Sequence, residues 1–213
     1  MWRQKSFAEP TEKGTLHLVA TPIGNLDDMT VRAVKTLREV ALIAAEDTRR
    51  TRQLTTHFNI KTPLVSYHEH NRREQGKEII ERLLKGDSVA LVSDAGLPAI
   101  SDPGEELVAE AVAQHIPVVS IPGANAALSA LIASGLPTER FLFLGFLPRE
   151  KKACRDTLHR WRTTPATVLL YEAPHRLTAT LRFLYESWGD RRLAVARELT
   201  KRHEEWLRGT VSE

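Results

Sequence analysis

The sequence has a single cysteine, Cys154, among 213 residues. An internal disulfide is therefore impossible. With no CxxC and no Cys/His cluster, structural zinc is not expected. Such cysteine usage suits a reducing compartment, and the expected location is cytoplasmic. No apolar run approaches the roughly 20 residues that span a bilayer, so no membrane role is expected. The amino-terminal MWRQKSFAEPTEKG lacks the apolar centre of a secretion signal and reads as a flexible leader over residues 1–13. Charge of one sign is also scarce: the formal net charge is +3, at a pI near 9.1. That balance permits nucleic acid without demanding it, so local basic clusters carry more information than the total. Short repeats and low-complexity segments are absent.

What is present is a chain of ordinary globular composition, 42% hydrophobic and 27% charged, long enough to bury a core without staples. Apolar runs rich in β-branched residues recur at Thr15–Ala20, Ala41–Ala45, Pro63–Tyr67, Ser88–Ser93 and Pro117–Ile121. Between them fall amphipathic patterns: Val31, Val34 and Leu37; Ile79, Ile80, Leu83 and Leu84; Leu107, Val108, Ala111 and Val112. Strand–helix alternation with apolar strands predicts an α/β fold with a mostly parallel sheet covered on both faces. After Ile121-Pro122-Gly123 a second alternating set begins: a helix over Ala124–Ser134, strands over Arg140–Leu144, Ala166–Tyr171 and Leu193–Ala196, and helices over Lys151–Trp161 and Arg176–Trp188. Two α/β domains are expected, 14–121 and 122–213. The final Glu204–Glu213 reads as a strand entering a turn, where a sheet would normally continue, so the second domain is expected to be truncated at its end.

Ligands of open α/β sheets sit beyond the carboxyl ends of the strands, so the strand-end loops carry most of the chemistry. The first, Thr21-Pro22-Ile23-Gly24-Asn25, stands where a dinucleotide-binding protein would carry GxGxxG. Without that fingerprint a nicotinamide oxidoreductase is disfavoured. The loop is either a ligand-side turn or a plain turn capped by Thr30. The second, Glu46-Asp47-Thr48-Arg49-Arg50, sets two carboxylates beside two guanidinium groups. Two readings fit: Asp47 or Thr48 as a helix cap with Glu46 as an arginine's partner, or Arg49, Arg50 and Arg52 as phosphate contacts. In Tyr67-His68-Glu69-His70-Asn71 the two histidines share a face if extended, but no further ligand has metal-site spacing, so polar loop contacts are expected. Asp94, in the small-residue loop Ser93-Asp94-Ala95-Gly96, is expected to face a ligand, whereas Asp102 before Pro103 fits a helix N-cap. Gly123 and Ala124 allow either close ligand approach to a helix start or tight packing. Glu172, His175 and Arg176 follow the Leu170-Tyr171 strand end. Arg149, Lys151, Lys152, Arg155, Arg160 and Arg162 form the densest basic stretch, a solvated helix face or an RNA-facing one.

Taken in order, LVATPIGNLDDMT, AEDTRRT, YHEHN, LVSDAGLPAISDPG, IPGANAALSAL, FLGFLPR, LYEAPHR and RELTKRHEE resemble the ribosomal RNA small-subunit methyltransferase I family, over about residues 14–212. TPIGN, SDAG and IPGAN carry the wider resemblance to the tetrapyrrole methylases. That resemblance implies two α/β domains with S-adenosyl-L-methionine in the cleft between them, a homodimer, and 2'-O-methylation of a cytidine in 16S ribosomal RNA of the small subunit. It carries the donor pocket onto Pro22, Asp94, Ala95, Gly96, Ala99, Pro122, Gly123, Ala124, Leu170 and Tyr171. The AEDTR and HEHN segments are the more particular to the RNA enzymes, with Arg49, Arg50, Arg52, Lys151, Lys152 and Arg155 as expected RNA contacts. Members continue beyond the RGTVSE-like segment with a further strand and a helical tail. The reaction needs no metal. A ribose hydroxyl must lose its proton, and Glu46, Asp47, His68 and Glu172 are the candidate acceptors, unranked. A tetrapyrrole C-methyltransferase is the alternative with the same fold and donor, but it would not need the arginine-rich segment.

Overall fold

The computed structural model describes residues 2–6 and 12–213. The chain divides into two compact units, Met1–Asn125 and Ala126–Glu213, a few residues beyond the boundary expected before Pro122. Of the expected leader, residues 1 and 7–11 lie outside the described residues. Within Trp2–Ser6, the Gln4 side chain accepts from the Val118 N–H at 3.0 Å and donates to the Val118 carbonyl at 2.8 Å.

The first unit is built on five parallel strands: β1 (Leu16–Val19), β2 (Leu42–Ala45), β3 (Leu64–Ser66), β4 (Val89–Val92) and β5 (Val118–Ile121), in the order β3-β2-β4-β1-β5. Each lies within two residues of the run that predicted it. The strands are apolar throughout because both faces are covered. The pleat sorts their residues by alternation. Leu42, Ala44, Val89 and Leu91 face α3 (Arg72–Leu84) and α4 (Glu105–Ala113) through Ile79, Leu83, Leu107 and Ala111. Ile43, Ala45, Ala90 and Val92 face α1 (Val31–Glu39) through Ala33 and Leu37. Leu37 is fully buried, a contribution of roughly 1.5–3 kcal/mol. Thr30 caps α1, its hydroxyl accepting from the Ala33 N–H at 3.1 Å.

The chain leaves β1 toward β2 with α1 on one face, and leaves β3 toward β4 with α3 on the other. The direction therefore reverses between the neighbouring strands β1 and β4. That reversal is where an open α/β sheet forms its ligand crevice.

The second unit begins with α5 (Ala126–Ala133). Strands β6 (Phe141–Phe146) and β7 (Thr167–Tyr171) pair in parallel, and β8 (Arg192–Arg197) and β9 (Glu205–Thr210) pair antiparallel. Helices α6 (Lys151–Arg160) and α7 (Leu177–Trp188) bury Cys154, Leu158 and Leu184 together with Leu147. These elements follow the expected pattern, including the last strand.

Candidate active site at the strand ends

At the β1/β4 reversal two loops are joined by backbone pairing. The Thr21 N–H donates to the Gly96 carbonyl at 2.9 Å, and the Gly96 N–H to the Thr21 carbonyl at 3.0 Å. The Thr21 hydroxyl also donates to the Ser93 carbonyl at 3.2 Å. The loop after β5 closes on the same place. A Cβ on Gly123 would stand 2.8 Å from the Ala20 Cβ, and one on Gly96 would stand 3.5 Å from the Ala124 carbonyl oxygen at a left-handed φ of 82°. Glycine at 123 is thus a packing requirement, and glycine at 96 a conformational one. Pro22, Ala95, Gly96, Pro122, Gly123 and Ala124 are brought together at this end of the sheet, with Ala95, Pro122 and Gly123 exposed. Ala99 follows, in a left-handed conformation of φ 66°.

The carboxylates gather beside these loops. Asp94 is already engaged: one oxygen accepts from the Asp47 N–H at 3.1 Å, and the other lies 3.2 Å from the Arg50 guanidinium. The loop after β4 is thereby tied to the start of α2 (Thr48–His57). Glu46, at the end of β2, has its pKa raised. Burial is the main cause, with Asp102 and Asp94 adding repulsion and the Asp94 amide and Arg50 opposing. Asp102 is raised too, by burial first, with Asp94 adding and the Ser93 hydroxyl opposing. Arg50 thus stands against Asp94 and Glu46, whereas the Asp102 carboxyl is opposed only by the Ser93 hydroxyl among the described residues.

Asp102 corrects the sequence expectation. It does not cap α4. That helix starts at Glu105 behind Gly104, whose φ is 146°, and a Cβ there would meet Leu91 at 2.8 Å. The close pass of chain over the β4 side chain delays the helix and leaves the Asp102 carboxyl half-buried. The Asp-Pro signal is local and cannot register that approach.

The other candidates differ in what holds them. Asp47 caps α2 and grips Arg49, whose side chain donates at 3.1 and 2.9 Å. These contacts lower its pKa to about 2, which makes it a weak base. His68 has its backbone N–H on Asn71 Oδ1 at 2.8 Å, and its ring lies 5.9 Å from that of His70. Its Nδ1 is buried without a hydrogen-bond partner among the described residues. No group of three or more His, Cys, Asp or Glu residues among the described residues is arranged to hold a metal ion. In the second unit, Glu172 is nearly buried and fully committed. It accepts from its neighbour's amide, Ala173 N–H, at 2.8 Å and from the Thr180 hydroxyl, and it lies 3.5 Å from Arg176. Pro174 opens the short helical turn that follows. Leu170 and Tyr171 end β7, the Tyr171 ring edge-on to Phe143 at 5.0 Å.

Of the arginines, Arg49 and Arg50 are spent on Asp47 and Asp94, while Arg52 has no ion pair among the described residues. Arg52 and Arg49 line an open depression of about 490 Å³ along α2 with Thr48, Gln53 and Thr56. This larger depression touches none of the nominated donor residues. A second, of about 320 Å³, contains Ala99 among Leu18, Leu97, Pro98 and Ile100. On α6, capped by Glu150, Lys151 and Lys152 are exposed, whereas Arg155 lies 3.5 Å from Glu186 and stacks over Phe183.

The strand-end loops fit the methyl donor implied by the sequence resemblance. Small residues leave backbone edges open to an adenosine, and carboxylates in excess of cations suit a sulfonium. Similarity to known proteins agrees. Residues 15–213 match the family described as Tetrapyrrole (Corrin/Porphyrin) Methylases. Ribosomal RNA small subunit methyltransferase I of Halalkalibacterium halodurans is 57% identical, the match covering 100% of this chain and 74% of that protein. The enzyme of the same name from Bacillus subtilis is 55% identical, over 99% and 72%. Among solved structures, diphthine synthase superposes with a TM-score of 0.71 at 18% identity, covering 93% of this chain and 83% of that one. Uroporphyrin-III-C-methyltransferase from Thermus thermophilus gives 0.61 at 19%, covering 93% and 84%. At such identities these two establish the fold alone. S-Adenosylmethionine is the methyl donor of this family. By the span of the family match and the identity to its relatives, the chain belongs to the tetrapyrrole methylase family and, within it, to the ribosomal RNA small subunit methyltransferase I enzymes.

Proposed function

We propose that this protein transfers a methyl group from S-adenosylmethionine to the 2'-hydroxyl of a cytidine in the ribosomal RNA of the small subunit, as a cytoplasmic homodimer. One observation carries the reading: Asp94 joins the loop after β4 to the arginine-bearing start of α2, through the Asp47 N–H and Arg50. On this reading the loop assigned to the donor and the segment assigned to RNA are held together, which a tetrapyrrole substrate would not require. The relatives named for ribosomal RNA support the same substrate.

Backbone edges at Pro22, Ala95, Gly96, Ala99, Pro122, Gly123 and Ala124 would hold the donor, with Leu170 and Tyr171 nominated in the second unit. When bound, the donor supplies a methyl group on a cationic sulfur, open to in-line displacement. Orientation of the ribose carries much of the rate. Glu46 accepts the hydroxyl proton as the new O–C bond forms, and hands it to water. Its raised pKa makes it a stronger base than Asp47, and its oxygens are free of the commitments that occupy Glu172. Arg52, Lys151 and Lys152 take phosphates. Arg49 and Arg50 hold the carboxylates first and reach RNA only as those pairs exchange.

The test is tritiated methyl transfer to small ribosomal subunits, followed by nucleoside mapping. Label is expected in 2'-O-methylcytidine. Label in a porphyrinoid instead, with RNA untouched, returns the protein to tetrapyrrole C-methylation.

A further inference from the structure

The connection between β8 and β9, residues 198–204, is costlier than a hairpin needs. Two residues suffice to join antiparallel strands, and glycine or asparagine usually fills the left-handed positions. Neither occurs in Glu198-Leu199-Thr200-Lys201-Arg202-His203-Glu204. Glu198 (φ 53°) and Thr200 (φ 69°) are nevertheless left-handed, and for a β-branched residue this is a steric outlier. The Thr200 hydroxyl is also buried without a hydrogen-bond partner among the described residues.

The strain is held from below. The Lys201 N–H donates to the Glu198 carbonyl at 3.0 Å, and the Glu204 N–H to the Lys201 carbonyl at 3.1 Å. The Glu204 carboxylate accepts from the Thr200 N–H at 2.7 Å and from the Trp206 indole N–H at 3.1 Å. Trp206 is gripped in turn by Arg208, 4.5 Å over its ring, which donates to the Ala133 carbonyl at 2.8 Å. Strain persists where the surroundings over-determine it, and such places collect at ligand contacts.

What the turn offers is cationic, because its acids are used internally. Glu198 pairs with Lys201 at 3.0 Å, and Glu205 with Arg197 at 2.9 Å, while Glu204 is the clamp just described. Arg202 and His203 are exposed, with no hydrogen bond or ion pair among the described residues.

We propose that this turn is a preformed contact for the RNA phosphate backbone, with Arg202 the principal contact and His203 beside it. The proposal rests on the RNA reading given above. A guanidinium pairs with phosphate through two parallel hydrogen bonds. A turn already locked loses little freedom on binding.

The experiment compares wild type, the double variant Arg202→Ala/His203→Ala, and Lys35→Ala as a charge-loss control on α1, in binding to small subunits over a salt series. Each lost phosphate contact should lower the slope of log K against log salt by about 0.7–0.9. The double variant should show that loss and a KM for the subunit raised about tenfold, with kcat and donor affinity unchanged. A wild-type slope and KM in the double variant overturn the proposal and leave the RNA reading standing. So does an equal loss in Lys35→Ala, which would make net charge the cause. A wild-type protein that binds no RNA overturns both.

Discussion

Carboxylates stand at the strand ends of both units, and the units treat them in opposite ways. In the first, Arg50 pairs with Asp94 and is the only guanidinium among the described residues that acts on Glu46, while burial and neighbouring carboxylates hold Glu46 and Asp102 above their ordinary pKa. In the second, Glu172 has a guanidinium, a hydroxyl and an amide to itself. A carboxylate satisfied on every side fixes a turn. One raised by burial and by neighbouring carboxylates is the stronger base, which is what a proton acceptor must be.

The largest break in this contrast should come from Glu46→Gln. If Glu46 takes the ribose proton, kcat should fall by about 10²–10⁴-fold, with donor affinity kept. Stability should move the other way. A folded-state pKa above the unfolded value means that the native state binds more protons, so stability is lost as pH rises through that window. Glutamine removes this loss. The variant should melt higher than wild type near pH 7, and the gain should vanish below the ordinary glutamate pKa of 4.5. A variant with wild-type kcat would take Glu46 out of the chemistry.

Glu172→Ala is the converse. It strands Arg176, three-quarters buried, and the Thr180 hydroxyl. Breaking a buried pair from one side costs about 3 kcal/mol, read as a lower urea midpoint for the second unit. If Glu172 were the base, kcat would collapse while the midpoint stayed in place.

The sequence made these elements legible, but not their meeting. All nine strands among the described residues were foreseen because short apolar runs between turn residues are local signals, and β2 and β4 sit within a residue or two of Ala41–Ala45 and Ser88–Ser93. Helix α2 was the least legible helix, since its buried face is made of Thr51 and Thr55 rather than of leucines. Asp94 was expected to face a ligand, and its recorded partners, the Asp47 N–H and Arg50, lie more than 40 positions away along the chain. Pairing order and approach across strands are not written in any local pattern. Asp102 was misread for the same reason: a strong local cap signal yielded to the close contact of Gly104 on β4.

The smallest expected effect concerns Arg50, and it sharpens the comparison most. Arg50 is 68% exposed at its side chain, so its 3.2 Å pairing with Asp94 is screened and contributes little to stability. Its position among carboxylates matters more, because its charge is one of the two influences that lower the Glu46 pKa. Arg50→Ala should therefore raise that pKa further. A base acts only when deprotonated, so the acid limb of the kcat profile should move to higher pH. At alkaline pH, where Glu46 is fully ionised in both proteins, kcat should return to the wild-type level. A phosphate contact behaves otherwise. Losing one would raise KM for the subunit at every pH and flatten the salt dependence, without moving the limb. A moved limb with an unchanged salt slope identifies Arg50 as the counter-charge of the carboxylate cluster. A fixed limb with a flattened slope makes it an RNA contact, and the first unit's carboxylates then owe their protonation to burial and to one another alone.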